Sequence, residues 1–190
     1  MTLANLSRRA ATSAVLALMI WSVSFFLHFF WEMAQVPFFS GMAEARHWDV
    51  VWLCTRATVG DANIAFGAYV LAALFVKDWL WIAKPWRLST LSIYLGVGLT
   101  VTILFEYWAT GAGQRWNYSG LMPDVPLLSI GALPLVQWVV IPILLIYTVK
   151  WMFLGWQISK VSIKSSWCYL VHYTITLGKQ AQIHPLVCEN

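Results

Sequence analysis

The sequence predicts an all-α polytopic membrane helical bundle with four transmembrane helices and both termini cytoplasmic. Composition, the length of the apolar runs and the sidedness of the basic residues carry that expectation. Of 190 residues, 60% are hydrophobic and only 11% are charged. Mean hydropathy is +0.68, whereas ordinary soluble domains carry roughly 25% charged residues. One bundle is the natural count at this length, with no stretch left over for a separate soluble core. The net charge of +4 does not point to nucleic acid, because no basic cluster with interleaved aromatics lies on a polar face.

The first span is expected at 10–31, following Arg8 and Arg9. It is about as long as the ~20 residues a bilayer requires, and no small-x-small cleavage site follows. We therefore read it as a retained helix. Residues 32–56 mix Pro37, Gly41, Glu44, Arg46, His47, Asp49 and Arg56 with Phe38, Phe39, Trp48 and Trp52, which suits a loop with interfacial aromatic anchors. Helix two is expected at 57–76. From Asp61, steps of four and seven reach Ala65, Ala68 and Ala72, a small-residue stripe that lets another helix approach and turns Asp61 toward protein.

A short basic turn follows, KDWLWIAKPWRL, with Trp79, Trp81 and Trp86. Helix three is expected at 89–109, with Glu106 in its last turn. The Gly- and Pro-rich stretch 110–126 is a connection. Helix four is expected at 130–149, with Pro134 in its first turns and Pro142 inside, where a kink belongs. The transmembrane domain thus covers 1–150, and 151–190 reads as a basic, poorly ordered C-terminal tail. Cys54, Cys168 and Cys188 show neither a disulfide framework nor metal-ligand spacing, and no metal or cofactor is expected.

Arg8, Arg9, Lys77, Lys84, Arg87, Lys150, Lys160, Lys164 and Lys179 fall on the side of the termini; only Arg46, Arg56 and Arg115 fall on the other. By the positive-inside rule the termini are cytoplasmic. The expected location is the inner, or cell, membrane of a bacterium.

The acids distribute in the opposite sense, and this is where chemistry enters. His28 and Glu32 stand four apart, on one helix face, within the apolar run SFFLHFFWEMAQVPFF, and Trp21 and Phe25 fall on that face too. At a rise of 1.5 Å per residue, His28, Asp61 and Glu106 reach roughly 24 to 27 Å up from the cytoplasmic ends of their helices, just inside the outer surface. Ionisable residues in membrane helices are functional candidates by default. His28, Glu32, Asp61 and Glu106 are the candidate catalytic residues: an acid and a base held in different surroundings, with the imidazole relaying protons. The candidate ligand-binding residues are Trp31 and Asn63 on the first two helices, Arg115, Trp116 and Tyr118 in the third connection, and Gln137 with Trp138 on the last helix. Aromatic faces among them can stabilise positive charge.

Each group also has a purely structural reading. His28 and Glu32 can anchor helix one at the interface, Asp61 can cap helix two through Asn63, and Glu106 can pair with Arg115 to pin the third connection.

Two resemblances rest on these residues. The HFFWE run from His28 to Glu32, Asp61 or Glu106 as a further acid, and Trp138 with Pro142, Val149 and Lys150 resemble the EXPERA membrane domain of the emopamil-binding sterol isomerases and the sigma-2 receptor family. There a His-x-x-x-Glu pair, acids on neighbouring helices and a tryptophan-bearing last helix surround a sterol-like ligand. Leu135 stands where that family carries an asparagine. Secondly, Glu106, Gly113, Trp116 with Asn117 and Tyr118, and Leu133-Pro134 resemble the small membrane lycopene cyclases and carotenoid hydratases, with Val136-Gln137 in place of the cyclases' paired glutamates. Both resemblances imply carbocation chemistry on an olefin. The expected function is an outer-end polar pocket for a sterol-, isoprenoid- or carotenoid-like molecule, with isomerase, hydratase or cyclase chemistry. The competing class is a non-catalytic multi-pass protein, either a lipid-binding module or a small subunit of a membrane complex. The bilayer and a lipophilic small molecule are the expected partners, and assembly with further copies or other chains stays open.

Overall fold

A computed structural model describes residues 3–126 and 128–178, with side chains over 10–126 and 128–160. Helix α1 is Leu3–Gln35, α2 His47–Val76, α3 Leu88–Thr110 and α4 Ala132–Gly178. Two-residue strands β1, Asp124–Val125, and β2, Ile130–Gly131, pair antiparallel between α3 and α4. Four stretches are long and apolar enough to cross a membrane: Ala10–Phe38, His47–Val76, Leu88–Thr110 and Ala132–Lys160. The chain divides into two compact units, Met1–Lys150 and Trp151–Asn190.

Within the first unit the helices bury polar side chains among apolar ones and expose large apolar side chains. On α1, Leu16, Ile20, Ser24, His28 and Gln35 are buried, whereas Leu18, Phe26 and Phe30 are exposed. On α2 the four-residue rhythm Val50, Cys54, Thr58, Ala62 continues into Ala65, Ala68, Tyr69 and Ala72, all buried. This alanine stripe lets backbones approach, and α1 and α3 both pack on α2. Trp138 joins α4 to the bundle. A Cβ built on Gly98 of α3 would lie 2.2 Å from the Trp138 ring, so the indole occupies the space that glycine leaves.

The structure corrects several boundaries. Residues 47–56 belong to α2 and not to a loop. Their polar side chains, His47, Asp49 and Arg56, lie on its exposed side, and Asp49 in the first turn pairs with Arg46 at 2.8 Å. Helix α1 continues to Gln35, and the 3-10 turn Val36–Phe38 around Pro37 ends it. Gly41, at φ +74°, then turns the chain toward α2. Helix α4 does not end near residue 149. No proline follows Pro142 before Gly178, and an isolated Gly155 costs only about 1 kcal/mol, too little to stop a helix. The expected tail is therefore helical over 151–178, while 179–190 lie outside the described residues. In this second unit the Lys160 ammonium sits 3.8 Å over the Trp156 ring.

The two connections at one end of the first unit are tied together. The Ser40 amide donates to the Asn117 carbonyl at 2.9 Å and the Ser119 amide to the Phe38 carbonyl at 2.9 Å. Around this Phe39–Tyr118 bridge, the Ser119 hydroxyl donates to the Pro37 carbonyl at 2.9 Å and the Ser40 hydroxyl to the Tyr118 carbonyl at 2.8 Å. Gly131 lets the β hairpin close on them, since a Cβ there would meet Met122 Sδ at 2.8 Å and Tyr118 Cε1 at 3.0 Å.

Candidate functional site

Helix α1 presents His28 inward because it continues the stripe Leu16, Ile20, Ser24 at one-turn intervals. Glu32 is one turn further and half-buried. Its Oε1 accepts from Gln35 Nε2 at 2.8 Å, and the Gln35 carbonyl accepts from the Trp31 indole at 3.2 Å. Asp61 enters from α2 with its side chain 16% exposed, and its Oδ2 is 3.6 Å from His28 Nδ1.

Gln137 of α4 is the hub. Buried at 2% exposure, its Nε2 is 2.7 Å from His28 Nδ1, 3.3 Å from Glu32 Oε1 and 3.3 Å from Asp61 Oδ2. An amide nitrogen carries two hydrogens and here faces three acceptors. Glu32 Oε1 also accepts from Gln35, so the two amide hydrogens of Gln137 suffice for His28 and Asp61. With Nδ1 accepting from Gln137, the neutral imidazole carries its hydrogen on Nε2. That atom is buried and has no hydrogen-bond partner. The Trp138 ring lies 5.1 Å from the imidazole, centroid to centroid. Buried hydroxyls of Ser24, Thr58 and Thr102 are likewise unpartnered. Ser24 and Thr102 stand one turn before His28 and Glu106 in the chain.

Glu106 completes the set from α3. It is 6% exposed. Its Oε2 accepts from the Trp116 indole at 3.3 Å and from the Tyr118 hydroxyl. The Tyr118 phenol is pushed above its ordinary range, first by burial and then by its bond to Glu106, so it remains a donor. Glu32, Asp61 and Glu106 lie within electrostatic range of one another.

The sequence-predicted residues therefore separate into two groups. His28, Glu32, Asp61, Glu106, Trp116, Tyr118, Gln137 and Trp138 are brought to one end of the bundle, with Trp31 attached through Gln35. Two do not join them as expected. Asn63 is exposed and accepts from the Trp21 indole at 3.0 Å, so it ties α2 to α1 and does not cap Asp61. Arg115 lies 5.5 Å over the Trp108 ring and, among the described residues, makes no ion pair with Glu106. Trp21 stacks on Phe25, and Phe25 on Phe29, at 5.6 and 6.2 Å, beside the buried stripe and not within it. Gln35 and the three lone hydroxyls are site residues that the sequence reading did not single out. Carrying the four-residue rhythm of His28 back to Ser24, and that of Glu106 back to Thr102, finds two of them.

A cavity of ≈ 250 Å³ opens between the end of α1 and the start of α2, lined by Met33, Val36, Met42, Ala43, Ala45, His47 and Val50, none of them a member of the polar cluster. Its lining mixes polar and apolar surface and includes His47 and the flexible thioethers of Met33 and Met42. Among the described residues no group of three His, Cys, Asp or Glu side chains is arranged to hold a metal ion. Comparison with family models, with curated proteins and with solved structures finds no match.

Proposed function

We propose that this end of the bundle is a binding site for a sterol-, isoprenoid- or carotenoid-like lipid, and that its polar cluster performs acid–base chemistry on an olefin of that lipid. The observation that carries the reading is the Gln137 hub. It joins an imidazole and two carboxylates from α1 and α2 while leaving His28 Nε2 buried without a partner. A set of groups serving only to tie helices gains nothing from a lone donor in the interior, since an unmet buried polar group costs about 1–3 kcal/mol. The cavity between the end of α1 and the start of α2 offers Met33, Val36 and Met42 to the hydrocarbon part of such a ligand.

In this reading one protonated group delivers a proton to an olefin carbon and leaves a carbocation beside the aromatic faces. A base of the cluster then takes a proton from a neighbouring carbon, which shifts the double bond and balances the charge. Addition of water to the cation gives hydration, and attack by a second olefin gives cyclisation. Both resemblances in the sequence imply this chemistry. With the termini cytoplasmic, the site faces the outer side of a bacterial inner membrane; the distribution of the basic residues supports that orientation.

A second reading has its own observation. Both donors to Glu106 come from the connection before α4, and that connection is bonded to the one after α1. The cluster then only fastens the loops, in a non-catalytic lipid-binding module or complex subunit. Identification by mass spectrometry of lipids retained by the protein in native-membrane particles tests whether the cluster belongs to a lipid site at all. We expect a specific lipophile with the wild type and its loss in His28→Ala and Glu106→Gln. No specific lipid, with normally folded variants, contradicts the binding reading.

A further inference from the structure

The basic turn between α2 and α3 takes no part in the polar cluster, and it is built more firmly than a solvated charge run requires. Helix α2 ends with Lys77 in the left-handed conformation, and its amide is held by the Ala73 and Leu74 carbonyls. Asp78 accepts from the Leu80 amide at 3.1 Å and from Lys84 Nζ at 2.5 Å. The Tyr69 hydroxyl donates to the Trp79 carbonyl, and the Trp86 indole donates to the Ile82 carbonyl at 3.1 Å. Across from the turn, the Lys150 ammonium of α4 lies 4.9 Å over the Trp86 ring and donates to the Lys84 carbonyl at 3.3 Å. The turn and Lys150 together carry four cations and one carboxylate, Asp78. Partial burial pushes the Asp78 carboxyl up, but its Lys84 and Leu80 hydrogen bonds and the charges of Lys84 and Arg87 outweigh this and hold it below the usual range. It remains an anion and is committed to Lys84. Lys77, Arg87 and Lys150 have no carboxylate partner among the described residues.

The surroundings of these three cations select among anions. Phe75, Trp79 and Leu88 are 72%, 45% and 79% exposed, and they flank the turn where two spanning helices end. A free phosphate has no use for that apolar surface. A molecule with an anionic head and hydrocarbon tails matches both halves. We propose that Lys77 and Arg87 of the turn, together with Lys150 seated over the Trp86 ring, form a binding site for the phosphate of an anionic glycerophospholipid, with its chains against Phe75 and Leu88. Lys150, fixed by the indole and a backbone carbonyl, keeps two ammonium hydrogens for the phosphate. Arg87, next to Trp86 in the chain, offers a planar fork.

The test uses the full-length protein in particles containing equal amounts of phosphatidylglycerol and phosphatidylcholine of identical chains, with retained lipids counted by native mass spectrometry. The wild type is expected to retain phosphatidylglycerol preferentially. Arg87→Gln and Lys150→Gln should each lower the preference about fivefold, the worth of one basic residue at an anionic surface. Lys150→Arg should keep most of it, and Arg46→Gln, a cation already paired with Asp49, should leave it intact. Arg87 is exposed, so its variant folds independently of the role of Lys150. Equal retention of the two lipids by the wild type overturns the site. So does an unchanged preference in both glutamine variants, an equal loss in Arg46→Gln, or displacement of the lipid by millimolar inorganic phosphate, which would mark a free-anion site.

Discussion

Gln137 divides two amide hydrogens among His28 Nδ1, Glu32 and Asp61, and of the three acceptors Glu32 also accepts from Gln35. Gln137→Leu keeps the volume and removes the donor. We expect it to lower stability by about 1–3 kcal/mol through unmet buried acceptors, read as a fall in the denaturation midpoint; an unchanged midpoint would mean the amide is not the hub. Gly98 makes a separate residue-level case. Gly98→Ala drives a methyl into the Trp138 ring and should cost about 1–3 kcal/mol by overpacking. Gly96→Ala, with nothing within 4 Å of its Cβ, should be neutral or stabilising by about 0.5–1 kcal/mol. Equal effects of the two would remove the argument that Trp138 is seated by that glycine. Seating matters to function because the same indole lies against the His28 ring.

At the scale of elements, the two connections act as one strap over Glu106. The amides of Ser40 and Ser119 should exchange hydrogen more slowly than that of Glu44 in the same connection, and Ser119→Pro should speed exchange at Ser40 as well. Fast exchange at both in the wild type would mean the strap is open. Much at this scale was legible in the sequence. The apolar runs gave four helices, and the stripe from Asp61 through Ala72 gave the close-packed face of α2. The start of α2 was not, because His47, Asp49 and Arg56 read as loop. The overriding signal was the spacing of Val50, Cys54 and Thr58, which holds one face buried while the polar residues point outward. Two-residue strands carry no periodicity, so the β hairpin had no signature. Opposite charge suggested a pair between Glu106 and Arg115. The neutral donors of Trp116 and Tyr118 hold the carboxylate instead, and the guanidinium rests on Trp108. Gln137 stood out in the sequence only through the place it holds in the cyclase pattern; its role as a shared donor depends on how four helices assemble.

For the whole molecule, Glu106 of the polar cluster lies near the close of α3 and Asp61 midway along α2, whereas the basic-aromatic turn joins the close of α2 to the start of α3. Cysteines introduced singly at Lys84 and Asn117, which flank α3, should therefore label from opposite sides of the membrane; labelling from one side would contradict the arrangement. The central claim concerns what the cluster does to a bound lipid. Isomerisation, hydration and cyclisation through a carbocation all leave one solvent hydrogen on carbon. The most direct measurement is mass spectrometry of the retained lipid after incubation of the protein in heavy water. We predict carbon-bound deuterium with the wild type and its absence in a Glu32→Gln variant that still holds the lipid. A wild-type protein that retains its lipid without incorporating deuterium would contradict the account.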